Sequence, residues 1–205
     1  FICHGMSGQS AMIRPIRSVG IVGAGTMGAG IAQLALQSGM SVFLYDADEA
    51  SMTRAHARIS RGLEKKGQGA FLARLHFTKS IEELNSADCA IEAAPEQMEI
   101  KRKIFGELDR HFPKDCLLAT NTSSLPVSEI AASAKNPERV VGLHFFNPPP
   151  VMKLVEVVPA RQSAEETVAA ATALAKAMGK VPVRAKDSPG FIANRVSRPF
   201  FVIAM

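Results

Sequence analysis

The decapeptide VGIVGAGTMG, residues 19–28, places three glycines at the spacing GxGxxG directly after a short β-rich run. The Ala-rich run Ile31–Leu36 follows it, and the next β-rich run ends at Asp46, 18 residues after the last glycine of the motif. A strand, a glycine turn, a helix and a second strand ending in an acidic residue are the signature of a dinucleotide-binding βαβ unit. This stretch therefore predicts the first crossover of a parallel sheet that is covered by helices.

In such a loop each glycine has a distinct structural role. Gly23 allows the tight turn, Gly25 lets the backbone approach a pyrophosphate, and Gly28 lets helix and strand pack closely. Backbone N–H groups at the start of the helix then face the phosphates. The residues expected to hold the cofactor here are Gly23, Ala24, Gly25, Thr26, Met27 and Gly28. The alternative is that these are turn and packing glycines with no ligand.

Asp46 is expected to accept hydrogen bonds from the adenosine ribose. Its negative charge opposes a 2′-phosphate, and the residues after it are Ala47, Asp48 and Glu49 rather than arginine. The predicted cofactor is therefore NAD and not NADP.

The composition is typical of a globular domain, with 205 residues of which 47% are apolar and 21% charged. Basic residues outnumber acidic ones by 24 to 19, and the net charge of +5 suits an anionic small molecule. The basic residues are scattered and aromatic residues make up only 6%, so no nucleic-acid partner is expected. The uncharged stretch 18–45 contains six glycines, which favours buried structure over a membrane span.

The cysteines and the N-terminus bear on location. Cys3, Cys89 and Cys116 are far apart and lack CxxC spacing, so neither a disulfide framework nor a metal site is expected. A reducing, cytoplasmic location follows. The polar run His4–Ser10 breaks any signal-peptide core, and residues 1–14 are expected to be a leader or an expression remnant.

Beyond the glycine loop, β-rich runs keep alternating with longer amphipathic ones, as in α/β proteins. The predicted strands are 19–22, 41–45, 89–93, 117–120, 140–144, 154–158 and 181–183, and the predicted helices are 27–38, 48–66, 96–111, 126–134 and 165–178. The loop between 140–144 and 154–158 is too short for a parallel crossover, so these two strands should pair antiparallel. The expected fold is a Rossmann-type doubly wound, mostly parallel sheet with an antiparallel addition.

The end of the chain predicts a boundary. Residues 15–187 are expected to form the dinucleotide-binding domain. Residues 188–205 read as a capped helix start with more apolar surface than a terminal helix can bury. We expect this segment to be the first helix of an otherwise absent helical domain.

One histidine differs from the others by its position. His144 ends a strand predicted to be central, where the carboxyl ends of parallel strands line the ligand crevice. Glu156 lies 12 residues later on the returning strand, so a contact between the two is sterically plausible. A carboxylate on one imidazole nitrogen is what a general base that takes a hydroxyl proton requires. The alternative is a structural histidine whose hydrogen bonds go to the backbone.

Five motifs in order resemble the L-3-hydroxyacyl-CoA dehydrogenases, and among them the bacterial 3-hydroxybutyryl-CoA dehydrogenase type. They are GAGTMGAGIA (23–32), NTSSL (121–125), HFFNP (144–148), KLVEV (153–157) and DSPGFIANR (187–195). The resemblance covers residues 16–205 and implies NAD-linked interconversion of a 3-hydroxyacyl-CoA and a 3-oxoacyl-CoA. It implies that His144 is the general base and Glu156 its partner carboxylate.

The resemblance also implies roles for other residues. Ser123 matches a serine that hydrogen-bonds the reacting oxygen, and Asn194 an asparagine that contacts the substrate. Glu96, Lys101 and Asn121 match positions at the cofactor.

Other interpretations of the same side chains stay open. Ser123 and its neighbour could cap the helix near Pro126, and Asn194 could be an exposed helix residue. Glu96 could complement a helix dipole, and Lys101 could belong to a solvated face.

Two departures from the family pattern affect what can be expected of the chain. Family members continue into a helical domain that supplies much of a subunit interface, whereas this sequence is expected to end within the first helix of that domain. A homo-oligomer is therefore expected of the full-length protein. The segment around 67–70 is shorter than the hairpin with which relatives bind CoA.

Two alternative functions stay open. The chain could belong to a sister NAD-dependent dehydrogenase of a free hydroxy acid or sugar acid, or it could be an NAD-binding module without chemistry.

Overall fold

The structure, a computed structural model, describes residues 16–197. Its strands are β1 Ser18–Val22, β2 Ser41–Tyr45, β3 Leu75–Phe77, β4 Cys89–Glu92, β5 Leu117–Thr120, β6 Val140–Phe145, β7 Leu154–Pro159 and β8 Val181–Arg184. Its α-helices are α1 Thr26–Gln37, α2 Glu49–Glu64, α3 Met98–His111, α4 Val127–Ala131 and α5 Glu165–Ala177. Short 3₁₀ helices cover Gly69–Arg74, Glu82–Ser86 and Pro137–Arg139.

All eight strands form one sheet in the order β3-β2-β1-β4-β5-β6-β7-β8. Every neighbouring pair is parallel except β6 and β7, which are antiparallel. The chain runs outward from β1 to β3, then crosses back to β4 on the other side of β1. The resulting crevice at the carboxyl ends of β1 and β4 is where open α/β sheets bind ligands. The predicted doubly wound sheet with an antiparallel addition is confirmed.

The core consists of two apolar layers, one on each face of the sheet. Helices α1, α2 and α5 cover one face, with side chains such as Ile31, Ile59 and Leu174 buried against it. Helices α3 and α4 cover the other face through Phe105 and Ile130 among others. Because both faces are covered, the central strands are apolar throughout, so a charged residue inside one of them is conspicuous.

The structure corrects the prediction at one strand and one helix. Strand β3 was missing from the prediction because its three residues are too few to show an alternation. The helix predicted at 126–134 ends at Ala131. The Ser133 hydroxyl donates to the Ile130 carbonyl, and the next N–H groups bond three residues back, so the helical ladder stops.

The predicted helix start at residue 188 is wrong. Residues 187–192 form a turn, and helix begins at Ala193. Gly190 and Phe191 have φ of 73° and 48°, which no right-handed helix accommodates. The rest of that prediction, residues 198–205, and the leader predicted at 1–14 lie outside the described residues.

The uncharged stretch 18–45 folds as β1, α1 and β2. Between residues 16 and 197, none of the helices combines the length and the apolar character that crossing a membrane requires.

Candidate functional site

The glycine loop connects β1 to α1 at the carboxyl edge of the sheet. Gly23 has φ of 106°, and a Cβ there would lie 2.6 Å from the Ala93 carbonyl oxygen. A Cβ at Gly28 would lie 1.8 Å from the Gly23 carbonyl oxygen. Nothing lies within 4 Å of the corresponding position at Gly25, where α1 begins with no side-chain cap. The first and third glycines are thus required by the fold, while the second leaves an open approach to the backbone.

Asp46 directly follows β2 and lies beside this loop. Its Oδ2 accepts a hydrogen bond of 2.6 Å from the Ala24 N–H, and its Oδ1 accepts one of 2.9 Å from Asp48. A cavity of about 260 Å³ adjoins the loop, and Gly25, Thr26, Ser51, Arg54 and Arg58 are among the residues that line it. Asp46 is therefore hydrogen-bonded to the glycine loop, and its contact with the cofactor stays a prediction.

Arg54 was missed by the sequence reasoning. Its guanidinium donates to Asp48 at 3.1 Å and to the Ser51 hydroxyl at 2.7 Å. The signal that could have found it is the helical spacing of residues 51, 54 and 58, which puts them on one face of α2. A cation therefore does lie near the loop, but Asp48 is already paired with it.

His144 and Glu156 contact each other directly. They are register partners in the antiparallel pair of β6 and β7, so their side chains project from the same face of the sheet. His144 Nδ1 lies 2.8 Å from Glu156 Oε2, and the side chains are only 7% and 1% exposed. Because a carboxylate can only accept, this hydrogen bond requires a proton on Nδ1, and in the neutral imidazole the lone pair then lies on Nε2. The alternative of an imidazole held only by the backbone is therefore wrong.

The second carboxylate oxygen of Glu156 has its own partners. Oε1 accepts hydrogen bonds of 2.9 Å from the N–H groups of both Ile192 and Ala193. The rings of Phe146 and Phe191 pack against the imidazole with centroid distances of 4.5 and 5.7 Å. The pair is thus held from two sides, by the sheet and by the segment that follows β8.

Ser123 lies in the loop after β5, which Glu96 organises. Glu96 Oε1 accepts from the Thr122 hydroxyl at 2.6 Å and from the N–H groups of Ser123 and Ser124 at 2.9 and 3.0 Å. Burial acts to raise the pKa of Glu96, but these hydrogen bonds and the charge of Lys101 outweigh it and lower the pKa to about 2. The carboxylate is therefore fully ionised and fixes the loop.

The structure excludes a capping role for the serines. The first N–H groups of α4, those of Val127 and Ser128, donate to the Asp187 carboxylate at 2.9 and 2.8 Å. Asn194 reaches the same loop, where its Nδ2 donates to the Ser123 carbonyl at 3.2 Å. Ser123 and Asn194 are therefore brought together although they are distant in sequence.

Lys101 is almost completely buried, with 1% of its side chain exposed, so the solvated-face interpretation is wrong. Its Nζ lies 2.7 Å from Glu92 Oε1 and 3.3 Å from Glu96 Oε2. Glu96 therefore contacts both the loop at 122–124 and Lys101.

The sequence reasoning did not single out Glu92. This carboxylate is fully buried at the end of β4, where it also accepts from the Thr120 hydroxyl and from the Ala94 N–H, both at 2.7 Å. An acidic residue within the apolar run Cys89–Ala93 was the signal that could have found it.

Asn121, which follows β5, connects the ends of three strands at the same edge. Its side-chain oxygen accepts from the Phe145 N–H at 2.9 Å, and its own N–H donates to the Glu92 carbonyl at 2.8 Å. These bonds hold the ends of β4, β5 and β6 in register. A contact of Asn121 with the cofactor stays a prediction.

Comparison with known proteins identifies the family. Residues 18–188 match the family described as 3-hydroxyacyl-CoA dehydrogenase, NAD binding domain. The chain belongs to this family. It is 46% identical over 199 residues to the 3-hydroxyadipyl-CoA dehydrogenase of Escherichia coli, with 93% of this chain and 42% of that protein covered. It is 44% identical over 193 residues to a probable 3-hydroxybutyryl-CoA dehydrogenase of Bacillus subtilis, with 90% and 67% covered.

A solved structure of the family supports the same assignment. The crystal structure of (S)-3-hydroxybutyryl-CoA dehydrogenase from Ralstonia eutropha superposes with a TM-score of 0.88 at 39% identity, covering 93% of this chain and 70% of that one. The chain thus spans between two fifths and about 70% of these members of the 3-hydroxyacyl-CoA dehydrogenase family.

NAD is the cofactor of the matched domain, and the residues present fit it. The space at Gly25 admits a phosphate against the backbone, and Asp46 presents carboxylate oxygens beside that loop. Among the described residues, no cluster of His, Cys, Asp or Glu could hold a metal ion.

Proposed function

We propose that this chain carries the NAD-binding and acid–base machinery of an enzyme that interconverts 3-hydroxyacyl-CoA and 3-oxoacyl-CoA. The observation that carries the proposal is the 2.8 Å contact between His144 Nδ1 and Glu156 Oε2 at the carboxyl edge of the sheet. The edge is the one on which the glycine loop opens, so base and cofactor face one crevice.

In the oxidative direction, His144 Nε2 takes the proton of the substrate 3-hydroxyl as the O–H bond breaks. The C3–H bond breaks with its electron pair, and a C=O double bond forms at C3. NAD⁺, when bound, supplies the acceptor for that hydride. Glu156 stabilises the imidazolium that results, and in the reverse direction His144 returns the proton to the carbonyl oxygen. Positioned acid–base groups contribute on the order of 10² to 10⁴ in rate.

Ser123 and Asn194 are proposed to contact the reacting part of the substrate. Support comes from the hydrogen bond of 3.2 Å between the Asn194 amide and the Ser123 carbonyl, which keeps the two residues adjacent. Glu96 and Asn121 are proposed to line the nicotinamide side of the cofactor, and the buried Lys101 is proposed to act from behind by holding Glu96 in place. Lys101 contacts both Glu92 and Glu96, and the Asn121 N–H donates to the Glu92 carbonyl, so this wall of the site is tightly held.

We further propose the domain division expected from the sequence, with residues 15–187 as the NAD-binding domain and 188–205 as the start of a helical domain, whose first helix begins at Ala193 after the turn at 187–192. An acyl-CoA substrate, a homo-oligomeric full-length protein and a cytoplasmic location belong to the same proposal. The relatives' names support the substrate class. The buried thiol of Cys89, which forms no disulfide among the described residues, agrees with a reducing compartment.

The test measures NAD binding by the 205-residue chain and NADH oxidation in the presence of acetoacetyl-CoA. NADH oxidation is measured on two proteins. One is the 205-residue chain. The other, called the completed chain, is a fusion of the 205-residue chain to the part of the Bacillus subtilis relative that the match does not cover. We expect NAD binding by both proteins and turnover by the completed chain. Free acetoacetate serves as the comparison substrate.

The outcomes separate the three candidate functions. Faster turnover of the CoA ester than of the free acid supports the proposal, and the reverse preference supports a sister hydroxy-acid dehydrogenase. NAD binding without turnover in either protein would identify a binding module and would overturn the proposal.

A further inference from the structure

The turn that follows β8 has an unusual backbone. Gly190 and Phe191 are both in the left-handed region, with φ of 73° and 48°. Phe191 is the one non-glycine residue with positive φ between residues 16 and 197. Such a conformation persists in a bulky residue only where the surrounding structure enforces it, and it is often found at functional sites.

Three contacts hold this turn in place. The Phe191 N–H donates to the Ser188 carbonyl at 2.9 Å, and the Arg195 N–H donates to the Gly190 carbonyl at 3.1 Å. Phe191 as a whole residue is 97% buried, and its ring stands edge-on to the imidazole of His144. The left-handed residue therefore lies between two fixed hydrogen bonds and directly beside the proposed base.

The turn has a direct consequence for Glu156. Immediately after Phe191, the N–H groups of Ile192 and Ala193 point in the same direction and both donate to Glu156 Oε1 at 2.9 Å. Two donors on one oxygen fix the rotation of the Glu156 carboxylate about the Cγ–Cδ bond. Oε2 is then left facing His144 Nδ1.

We propose that Phe191 is a positioning residue for the His144–Glu156 pair and that it acts through its left-handed backbone. This inference rests on the proposed function, since it concerns the orientation of the base named there. Phe191 itself needs no contact with the substrate. Its backbone aims two N–H groups at one carboxylate oxygen, and the other oxygen then sets the imidazole tautomer and angle.

A purely structural role would rest on the buried ring instead. The two roles predict opposite orders for a matched pair of variants, both of which lack the ring. Glycine adopts the left-handed region freely but leaves the larger void, whereas valine fills more of the void but is β-branched and disfavours that region. Positioning through the backbone predicts that Phe191→Gly is less harmful to the His144–Glu156 contact than Phe191→Val. Packing predicts the reverse.

The contact can be observed in the 205-residue chain by proton NMR. The Nδ1 proton of His144, sheltered by its bond to Glu156, should give a resonance that disappears in His144→Gln. We expect this proton to exchange roughly tenfold faster in Phe191→Val than in Phe191→Gly, which corresponds to the free-energy cost of a left-handed conformation. Exchange at equal rates, or faster exchange in Phe191→Gly, would overturn the inference.

A second pair guards against a variant that does not fold. Asparagine and leucine are similar in size, but asparagine tolerates the left-handed region and leucine packs better in an apolar site. Slower exchange in Phe191→Asn than in Phe191→Leu supports positioning, and the opposite order refutes it.

Turnover of the completed chain distinguishes this inference from the proposed function. Backbone positioning predicts a kcat roughly tenfold lower for Phe191→Val than for Phe191→Gly, with the KM for NAD unchanged. If the unsubstituted protein turns over but this order is absent, the inference fails and the proposed function stands. If the unsubstituted protein does not turn over, the proposed function fails, while the exchange order still tests the position of the carboxylate.

Discussion

His144 Nδ1 lies 2.8 Å from Oε2 of Glu156, its direct partner across the antiparallel strands β6 and β7. An antiparallel pair brings opposite side chains to within contact distance on one face. The antiparallel addition to the sheet is therefore what places a carboxylate beside the imidazole. A parallel return from β6 would have needed a crossover of a dozen or more residues and would not have paired these two positions in this way.

Removing the imidazole should separate chemistry from binding. In the completed chain, His144→Ala is expected to lower kcat at least about 100-fold, since positioned acid–base groups contribute on the order of 10² to 10⁴ in rate. The Kd for NAD should stay nearly unchanged because the glycine loop and Asp46 are intact. Steady-state kinetics and a fluorescence titration with NADH measure the two effects.

His56→Ala is the matched control, because His56 is exposed on α2 and remote from β6 in sequence. It should leave kcat unchanged. Turnover retained by His144→Ala would remove this residue from the role of the base.

Cofactor choice should depend on Asp46. Since hydrogen bonds to charged groups contribute about 1.5–3 kcal/mol, Asp46→Asn is expected to weaken NAD binding by roughly 10- to 100-fold. It should also narrow the preference for NAD over NADP, because the charge that repels a 2′-phosphate is gone. Kd values for both cofactors, measured by titration calorimetry on the 205-residue chain, test this.

Asp48→Asn removes a charge from the same loop and retains a good helix cap. It should leave NAD affinity within a few-fold of the original value. Equal or tighter binding of NADP by the unsubstituted chain would contradict the role given to Asp46.

The parts of the site that the sequence predicted are those whose chemistry is local. The glycine loop and Asp46 follow from spacing within one βαβ unit. The contact of His144 with Glu156 follows from a loop too short for a crossover. Both inferences need only neighbouring elements, so the pattern along the chain was sufficient.

The parts that could not be predicted depend on contacts between distant segments. The hydrogen bond from the Ser123 N–H to Glu96 spans 27 residues, and the one from the Ile192 N–H to Glu156 spans 36. No periodicity reports such pairs. The left-handed turn at Phe191 was equally hidden, because Ser188 and Pro189 are also a common beginning for a helix.

Close packing of α1 against the loop after His144 should make Gly30 irreplaceable. A Cβ at Gly30 would lie 2.6 Å from Cδ of Pro149, a rigid ring that cannot move aside. Gly30→Ala is therefore expected to destabilise the protein by about 1–3 kcal/mol, as overpacking does. Urea unfolding of the 205-residue chain measures the change.

Gly106, in helix α3, is the matched control, because the same substitution by alanine is expected to change the stability in the opposite direction. Nothing lies within 4 Å of a Cβ at this position in α3. Gly106→Ala should stabilise the protein by up to about 1 kcal/mol, the difference in helix propensity between glycine and alanine. Equal effects of the two substitutions would contradict the packing described between α1 and Pro149.

The charge of Glu96 should stabilise the fold in a defined pH range. Its pKa is lowered from 4.5 to about 2 in the folded protein, so its contribution is complete above pH 4.5 and is lost as the pH falls toward 2. Glu96→Gln should therefore lower the free energy of unfolding by about 1–2 kcal/mol at pH 6, a value reduced for the exposed third of the side chain. The difference between the two proteins should shrink steadily below pH 4.5. Urea unfolding at a series of pH values tests this, with the substitution of the exposed Glu99 by glutamine as the control. If the difference in unfolding free energy between Glu96→Gln and the unsubstituted protein does not depend on pH, the loop at 122–124 does not hold the carboxylate in its ionised form.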